Sequence, residues 1–203
     1  MKPYVVFDIE TYKSDRAEEF IEQKEIKPDS RLKDPAKIAA DIADKKAKKL
    51  SQAALSPITG RVTCMGLSYN GDFHFFIHKD EATLLREINI FLSGKEIGAY
   101  VGHNSVGFDL PFLRVRHLAN NISMPSWLQP ECRHQDTMLM IDRRNMVGLS
   151  DIEWLLDINR DSQKDGKAAL KFWEDDDWES LKQYNLDDVR TTETLYLKLI
   201  GEA

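Results

Sequence analysis

The 203-residue chain is predicted to form an α/β domain built on a mixed five-stranded sheet flanked by helices. Three observations predict it. Strand-like segments at about 4–10, 61–69 and 72–78 are joined by short connections, and later strand-like segments at about 97–102 and 134–140 alternate with helical ones, so an antiparallel half adjoins a parallel half with helices on both faces. Asn70-Gly71 between two strand-like runs is a strong hairpin signal. A hydrophobic content of 42% over this length suffices for one sizeable core.

The opening segment, YVVFDIET (Tyr4 to Thr11), has period-two alternation. Val5, Phe7 and Ile9 fall on one face, and Val6, Asp8 and Glu10 on the other. Two carboxylates therefore point the same way from a mostly apolar strand, and two residues of strand span roughly 7 Å, within reach of a shared cation. A pair of solvent-facing acids at a strand end is the competing reading. The fourth strand-like run, Ile97 to Val101, ends at Gly102, His103 and Asn104. Helical spacing then runs through Phe108, Phe112, Val115 and Leu118, with Pro111 in the first turn where its missing N–H costs nothing. Asp109 thus stands at a strand-to-helix turn, as a helix cap or a ligand at the carboxyl end of a strand.

Helices are expected at about 36–50, 80–93, 109–119, 150–156 and 178–200. The last places Tyr184 and Asp188 four residues apart on one face. Asp187, about 100° around the helix, is expected to face solvent or make a local contact. Trp154, Trp173 and Trp178 read as packing residues. Trp127, in a proline-bounded loop, either anchors that loop or stacks on a base. His103 reads as structural.

The three acidic segments together resemble the Exo motifs of the DEDD (DnaQ-like) 3′-to-5′ exonucleases. D-x-E falls on Asp8 and Glu10, N-x-x-x-F-D on Asn104, Phe108 and Asp109, and Y-x-x-x-D on Tyr184 and Asp188. The histidine subgroup would carry His where Gln183 stands, so the resemblance is to the tyrosine subgroup, DEDDy. FDIET and NSVGFDLPFL are especially similar to the proofreading exonuclease domains of family B DNA polymerases, which favours DNA. SPITGRVTCMGLSYNGD and DTMLM (Asp136 to Met140) also look like family segments, whereas residues 12–55 depart from a minimal member. The resemblance implies a ribonuclease H-like fold and a single exonuclease domain over 1–203 with a charged helical insertion at about 12–55. It also implies four metal-binding acids (Asp8, Glu10, Asp109 and Asp188), a water-orienting Tyr184, and substrate contacts from Thr11, Asn104 and Phe108.

Four carboxylates suit hard cations, so two Mg²⁺ are expected, with Mn²⁺ as a substitute. The expected reaction is two-metal hydrolysis of single-stranded DNA or frayed 3′ ends, releasing 5′-nucleoside monophosphates. An exoribonuclease, and a nucleic-acid-binding accessory subunit acting with a DNA polymerase or replication or repair protein in trans, are the alternatives. A net charge of −6 opposes phosphate binding. Residues 12–55, however, hold 11 Lys and Arg against 9 Asp and Glu. There Lys45, Lys48 and Lys49 follow helical spacing behind Ile38, Ala39, Ile42 and Ala43, as a basic clamp on single strands or an ordinary solvated face. Two cysteines without C-x-x-C spacing, no apolar run long enough for a membrane span, and a strand that begins by Tyr4, where a signal peptide would lie, suggest a cytoplasmic protein.

Overall fold

The computed structural model describes residues 2–142, 147–160 and 166–202. The chain divides into two compact units, one of Met1–Glu10 with Val62–Ala203, the other of Thr11–Arg61. Strands β1 (Tyr4–Lys13), β2 (Gly60–Tyr69), β3 (Asp72–Ile77), β4 (Ala99–Gly102) and β5 (His134–Asp136) form one sheet in the order β3-β2-β1-β4-β5. β2 and β3 pair antiparallel, and β4 pairs parallel with both β1 and β5. The sheet is mixed, as expected.

The β2–β3 turn uses Asn70 (φ 52°) and Gly71 (φ 90°), two left-handed residues in succession, as a two-residue hairpin of matching twist requires. The Asn70 side chain also accepts a hydrogen bond from the Tyr4 N–H at 2.9 Å, tying the hairpin to the start of β1.

Helices of the first unit are α3 (Glu81–Ser93), α4 (Asp109–Ala119), α5 (Thr137–Ile141), α6 (Leu149–Leu155), α7 (Gly166–Glu174) and α8 (Trp178–Ile200). The alternation of β1 splits the core between the two sides of the sheet. Val5, Phe7 and Ile9 join a cluster with Leu84, Leu110 and Phe112 of α3 and α4. Val6 packs instead with Val189 and Tyr196 of α8. Asp8 and Glu10 share the parity of Val6, so they face the α8 side. Asp177 caps α8 through the Ser180 N–H at 3.2 Å, and Gly201 ends it in the left-handed region.

The sequence reading requires correction at several places. The segment expected as a strand over 134–140 is strand only to Asp136, whose carboxylate accepts from the Met138 N–H and starts α5. The short helix α7, and α1 (Ala17–Gln23) in the second unit, were not anticipated. Trp154 is 80% exposed and not a packing residue. Trp173 and Trp178 do pack, against one another at 5.2 Å. Trp127 is buried between Phe7 and Tyr100 and donates its indole N–H to Asn89, which leaves no free face for a base.

In the second unit, α2 (Pro35–Ser51) begins at an Asp34 cap with Pro35 in its first turn. The Lys45 ammonium sits 2.7 Å from Asp41 and 3.1 Å from the Lys27 carbonyl, holding the preceding loop. Lys48 and Lys49 are exposed, and the three lysines line one concavity with Glu25, Lys27 and Gln52. Among the described residues no helix is long and apolar enough to cross a membrane.

Candidate metal centre

β4 pairs with β1 only over Tyr4, Val5 and Val6. Beyond Val6 the backbone of β1 needs another partner on that side, and the turn after β4 supplies one. Asn104 adopts a left-handed conformation (φ 58°), and its carbonyl accepts from the N–H groups of Gly107 and Phe108. The turn is fixed from the side by Asp136, which accepts from the N–H groups of Asn104 and Val106 at 2.9 Å each. The chain is thereby turned so that α4 opens on Asp109, whose Oδ1 accepts from the Ile9 N–H at 3.2 Å. Asp109 is therefore the first helical residue and not the cap, and its carboxylate binds the backbone between Asp8 and Glu10.

Asp8, Glu10 and Asp188 each offer a carboxylate oxygen within 4.8 Å of the others. Asp109 is not part of that triad but is electrostatically coupled to it. Burial, and then the charges of Asp109, Glu10 and Asp188, push the Asp8 carboxyl far above its usual range. Burial and Asp188 do the same to Glu10, opposed by the Asn185 amide. Burial raises Asp109 to about 7 and Asp188 to about 6. Like charges this close in a buried site cannot all ionise unless positive charge is supplied. A divalent cation supplies it, and an all-oxygen donor set is what Mg²⁺ or Mn²⁺ takes. The residues fit such an ion.

Tyr184 lies one turn before Asp188 and is mostly buried. Burial and the facing carboxylates hold its hydroxyl far above the ordinary tyrosine value, so it remains a protonated hydrogen-bond donor. Asp187 is buried, contrary to the expectation of solvent exposure. It accepts from Gln183 at 2.8 Å and Arg190 at 3.0 Å, the local contacts that were the other expectation.

Two residues of the centre escaped the sequence reading. The Arg160 guanidinium lies 2.8 Å from Asp188 and 3.0 Å from the fully buried Glu153, donates to the Tyr184 carbonyl at 3.2 Å, and stacks 5.0 Å from the Tyr184 ring. It holds Asp188 down against the raising effect of burial. Asn185, fully buried, donates to the Asp8 carboxylate at 2.7 Å. Arg160 lies in a charged, aperiodic stretch. Asn185 is hidden inside the third motif, between residues that drew attention for their own chemistry.

Of the substrate-binding expectations, Asn104 shapes the turn and Phe108 packs on Phe112 at 5.5 Å. Thr11, in the second unit, donates its hydroxyl to the Ala54 carbonyl at 2.8 Å. His103 bonds Thr137 and the Val147 carbonyl, both at 2.9 Å, which is structural service.

Comparison with known proteins adds the following. No curated protein sequence matches the chain. Its fold resembles that of a family B DNA polymerase from the hyperthermophilic archaeon Pyrobaculum calidifontis, with a TM-score of 0.67, 19% identity, and coverage of 98% of this chain and 25% of that one. The chain thus spans a quarter of the polymerase's length. A family profile of the RNase H superfamily matches residues 53–200. Membership implies a hydrolase acting on nucleic acids, and nucleases of this kind use divalent metals, for which the buried acids are suited. On the family match, the five-stranded mixed sheet and the acids at its centre, the chain belongs to the RNase H superfamily.

Proposed function

We propose that the protein is a 3′-to-5′ exonuclease of the DEDDy type, acting on single-stranded DNA or frayed 3′ ends and releasing 5′-nucleoside monophosphates. The observation that carries the reading is the meeting of Asp8, Glu10 and Asp188 within 4.8 Å, with Tyr184 one helical turn from the last. Asp109, fixed by the Ile9 N–H, is the fourth acid.

Two divalent cations held by these acids would lower the pKa of a water and offset the charge developing on the leaving 3′ oxygen. The protein's own groups do the rest. The acids on β1 and α8 set where positive charge sits relative to the scissile phosphate. The protonated Tyr184 hydroxyl hydrogen-bonds the attacking water and aims it, acting by orientation and not as a base. Arg160 fixes both Asp188 and the backbone at Tyr184, so the ligand and the orienting group share one support. Thr11, Asn104 and Phe108, with the basic group of Lys45, Lys48 and Lys49, are the substrate contacts of this reading, Lys48 and Lys49 meeting phosphate and Lys45 holding the loop beside them. A DNA polymerase or a replication or repair protein in trans is the partner it favours.

The test is a time course on 5′-labelled single-stranded DNA and RNA of one sequence, with Mg²⁺ and with chelator. A DNA ladder shortening from the 3′ end and abolished by chelator is expected. Internal cuts, or activity in full chelator, would overturn the exonuclease reading. A preference for RNA beyond about tenfold in kcat/KM, about 1.4 kcal/mol, would assign the protein to exoribonucleases.

A further inference from the structure

The site holds a polar group that is not a metal ligand yet touches one. Asn185 lies on α8 between Tyr184 and Asp188, is fully buried, and directs its amide nitrogen at Asp8 Oδ2 (2.7 Å) and at the Asp8 carbonyl (3.3 Å). A neutral donor on one carboxylate oxygen leaves the other oxygen free, and it fixes the rotamer of an otherwise repelled acid. The opposite end of the same side chain is unusual. Its Oδ1 is buried without a hydrogen-bond partner, which is unfavourable in a folded protein. Reversing the amide would set Oδ1 against the Asp8 carboxylate, so the orientation with the nitrogen on Asp8 is the favourable one.

Gly66 on β2 explains how the orphaned oxygen is accommodated. A Cβ built at that position would overlap Asn185 Oδ1 and crowd its Cγ at 3.1 Å and the Leu186 side chain at 3.2 Å. Glycine inside a strand weakens the strand, and a standard reason to find it there is the close approach of another group. Gly66 pairs with Phe75 in the antiparallel register and has no positive φ, so a turn does not explain it.

We infer that Asn185 is a positioning residue that aims the Asp8 carboxylate at the metal, and that Gly66 is the slot in β2 through which it reaches that place. The inference rests on the metal-dependent reading above. It assigns to a buried amide and a strand glycine a role in metal affinity, not only in folding.

The experiment is a cycle of Asn185→Ala, Gly66→Ala and the double variant in the full chain. Mn²⁺ alone is titrated by electron paramagnetic resonance, and stability is measured in parallel by thermal unfolding. Asn185→Ala is expected to remain folded, to bind Mn²⁺ at least about fivefold more weakly, and to lower kcat with little change in KM for DNA. Gly66→Ala is expected to destabilise the wild-type background much more than the Asn185→Ala background, because the clash is with the amide. Unchanged Mn²⁺ affinity in folded Asn185→Ala would reduce the residue to packing and overturn the positioning role. Equal destabilisation by Gly66→Ala in both backgrounds would overturn the slot. Wild-type protein that takes up no Mn²⁺ would overturn the metal reading and this inference with it, whereas wild type that binds, with Asn185→Ala binding equally, overturns this inference alone.

Discussion

A carboxylate that ligates a cation and one that bonds its neighbours differ in what their loss removes. Asp8→Ala, Glu10→Ala, Asp109→Ala and Asp188→Ala are each expected to nearly abolish turnover, because each removes charge from a site where three half-buried acids meet beside the buried Asp109. Asp187→Ala should leave turnover near wild type and lower stability by about 1–3 kcal/mol, since its partners are Gln183 and Arg190. Tyr184→Phe removes one hydrogen bond and is expected to slow turnover by about 10²-fold, the lower range for a positioned proton-handling group. A Tyr184→Phe protein as inactive as Asp109→Ala would mean that the phenol does more than aim water. The same acids set the pH response of the metal-free protein. Asp109 titrates near 7 in the fold against an ordinary value of 3.8, and Asp8, Glu10 and Asp188 are raised in the same direction. Between about pH 4 and pH 7 the folded state therefore binds more protons than the unfolded one, so stability falls as pH rises through that window. The melting temperature in chelator is expected to drop from pH 4.5 to pH 7.5, and Mg²⁺ to restore it most at the upper end. A metal-free profile that rises with pH across this window would contradict the arrangement of charges described here.

Elements were legible where one period governed a long run and both ends were punctuated. The helix α8 has its Asp177 cap, 23 residues and terminal Gly201; β1 separates Val5, Phe7 and Ile9 from Val6, Asp8 and Glu10 by simple alternation. Legibility failed where a distant group decided the outcome. DTMLM has a strand's composition, but the Asp136 carboxylate binds the N–H groups of Asn104, Val106 and Met138, which stops the strand and starts a helix. Trp154 looked like core, but α6 turns Ile152 and Glu153 inward and leaves the indole outside. The acids of the centre were visible from motif spacing, while Arg160 and Asn185 were not, since Arg160 reaches Tyr184, 24 residues away, and Asn185 reaches Asp8, 177 residues away. Arg160 ties Glu153 of α6 to Asp188 of α8, beside the Thr191 hydroxyl that donates to Glu153 directly. Arg160→Met removes the guanidinium that lies between the fully buried Glu153 and Asp188, at a cost of about 3–5 kcal/mol. Adding Glu153→Gln removes one of the two acids that met the guanidinium and should recover part of that loss. Urea denaturation of the two variants checks this, and a double variant no more stable than the single one would show that Glu153 is not the residue left uncompensated.

At the scale of the whole chain the difficulty is charge, because a protein of net −6 must hold a polyanion. Cations held by the acids would offset part of the acidity of the first unit. In the second unit, residues 12–55 hold 11 Lys and Arg against 9 Asp and Glu, the charge that the proposed reading sets against phosphate. Lys45, Lys48 and Lys49 are not equivalent. Lys45 is engaged by Asp41 and the Lys27 carbonyl, so replacing it should loosen the preceding loop more than it changes binding. Lys48 and Lys49 are exposed at the end of α2 and are the ones able to meet phosphates. Each phosphate neutralised on a single strand contributes roughly 0.7 to the slope of log affinity against log salt. The Lys48→Ala/Lys49→Ala variant is therefore expected to raise KM for long single strands and to flatten the salt dependence of kcat/KM by roughly 1 to 1.5. A dinucleotide, which offers a single internal phosphate, should be cut as before. A salt slope unchanged on long strands would mean that these lysines are ordinary solvated charge. A loss shared equally by the dinucleotide would mean instead that the variant had disturbed the acids themselves.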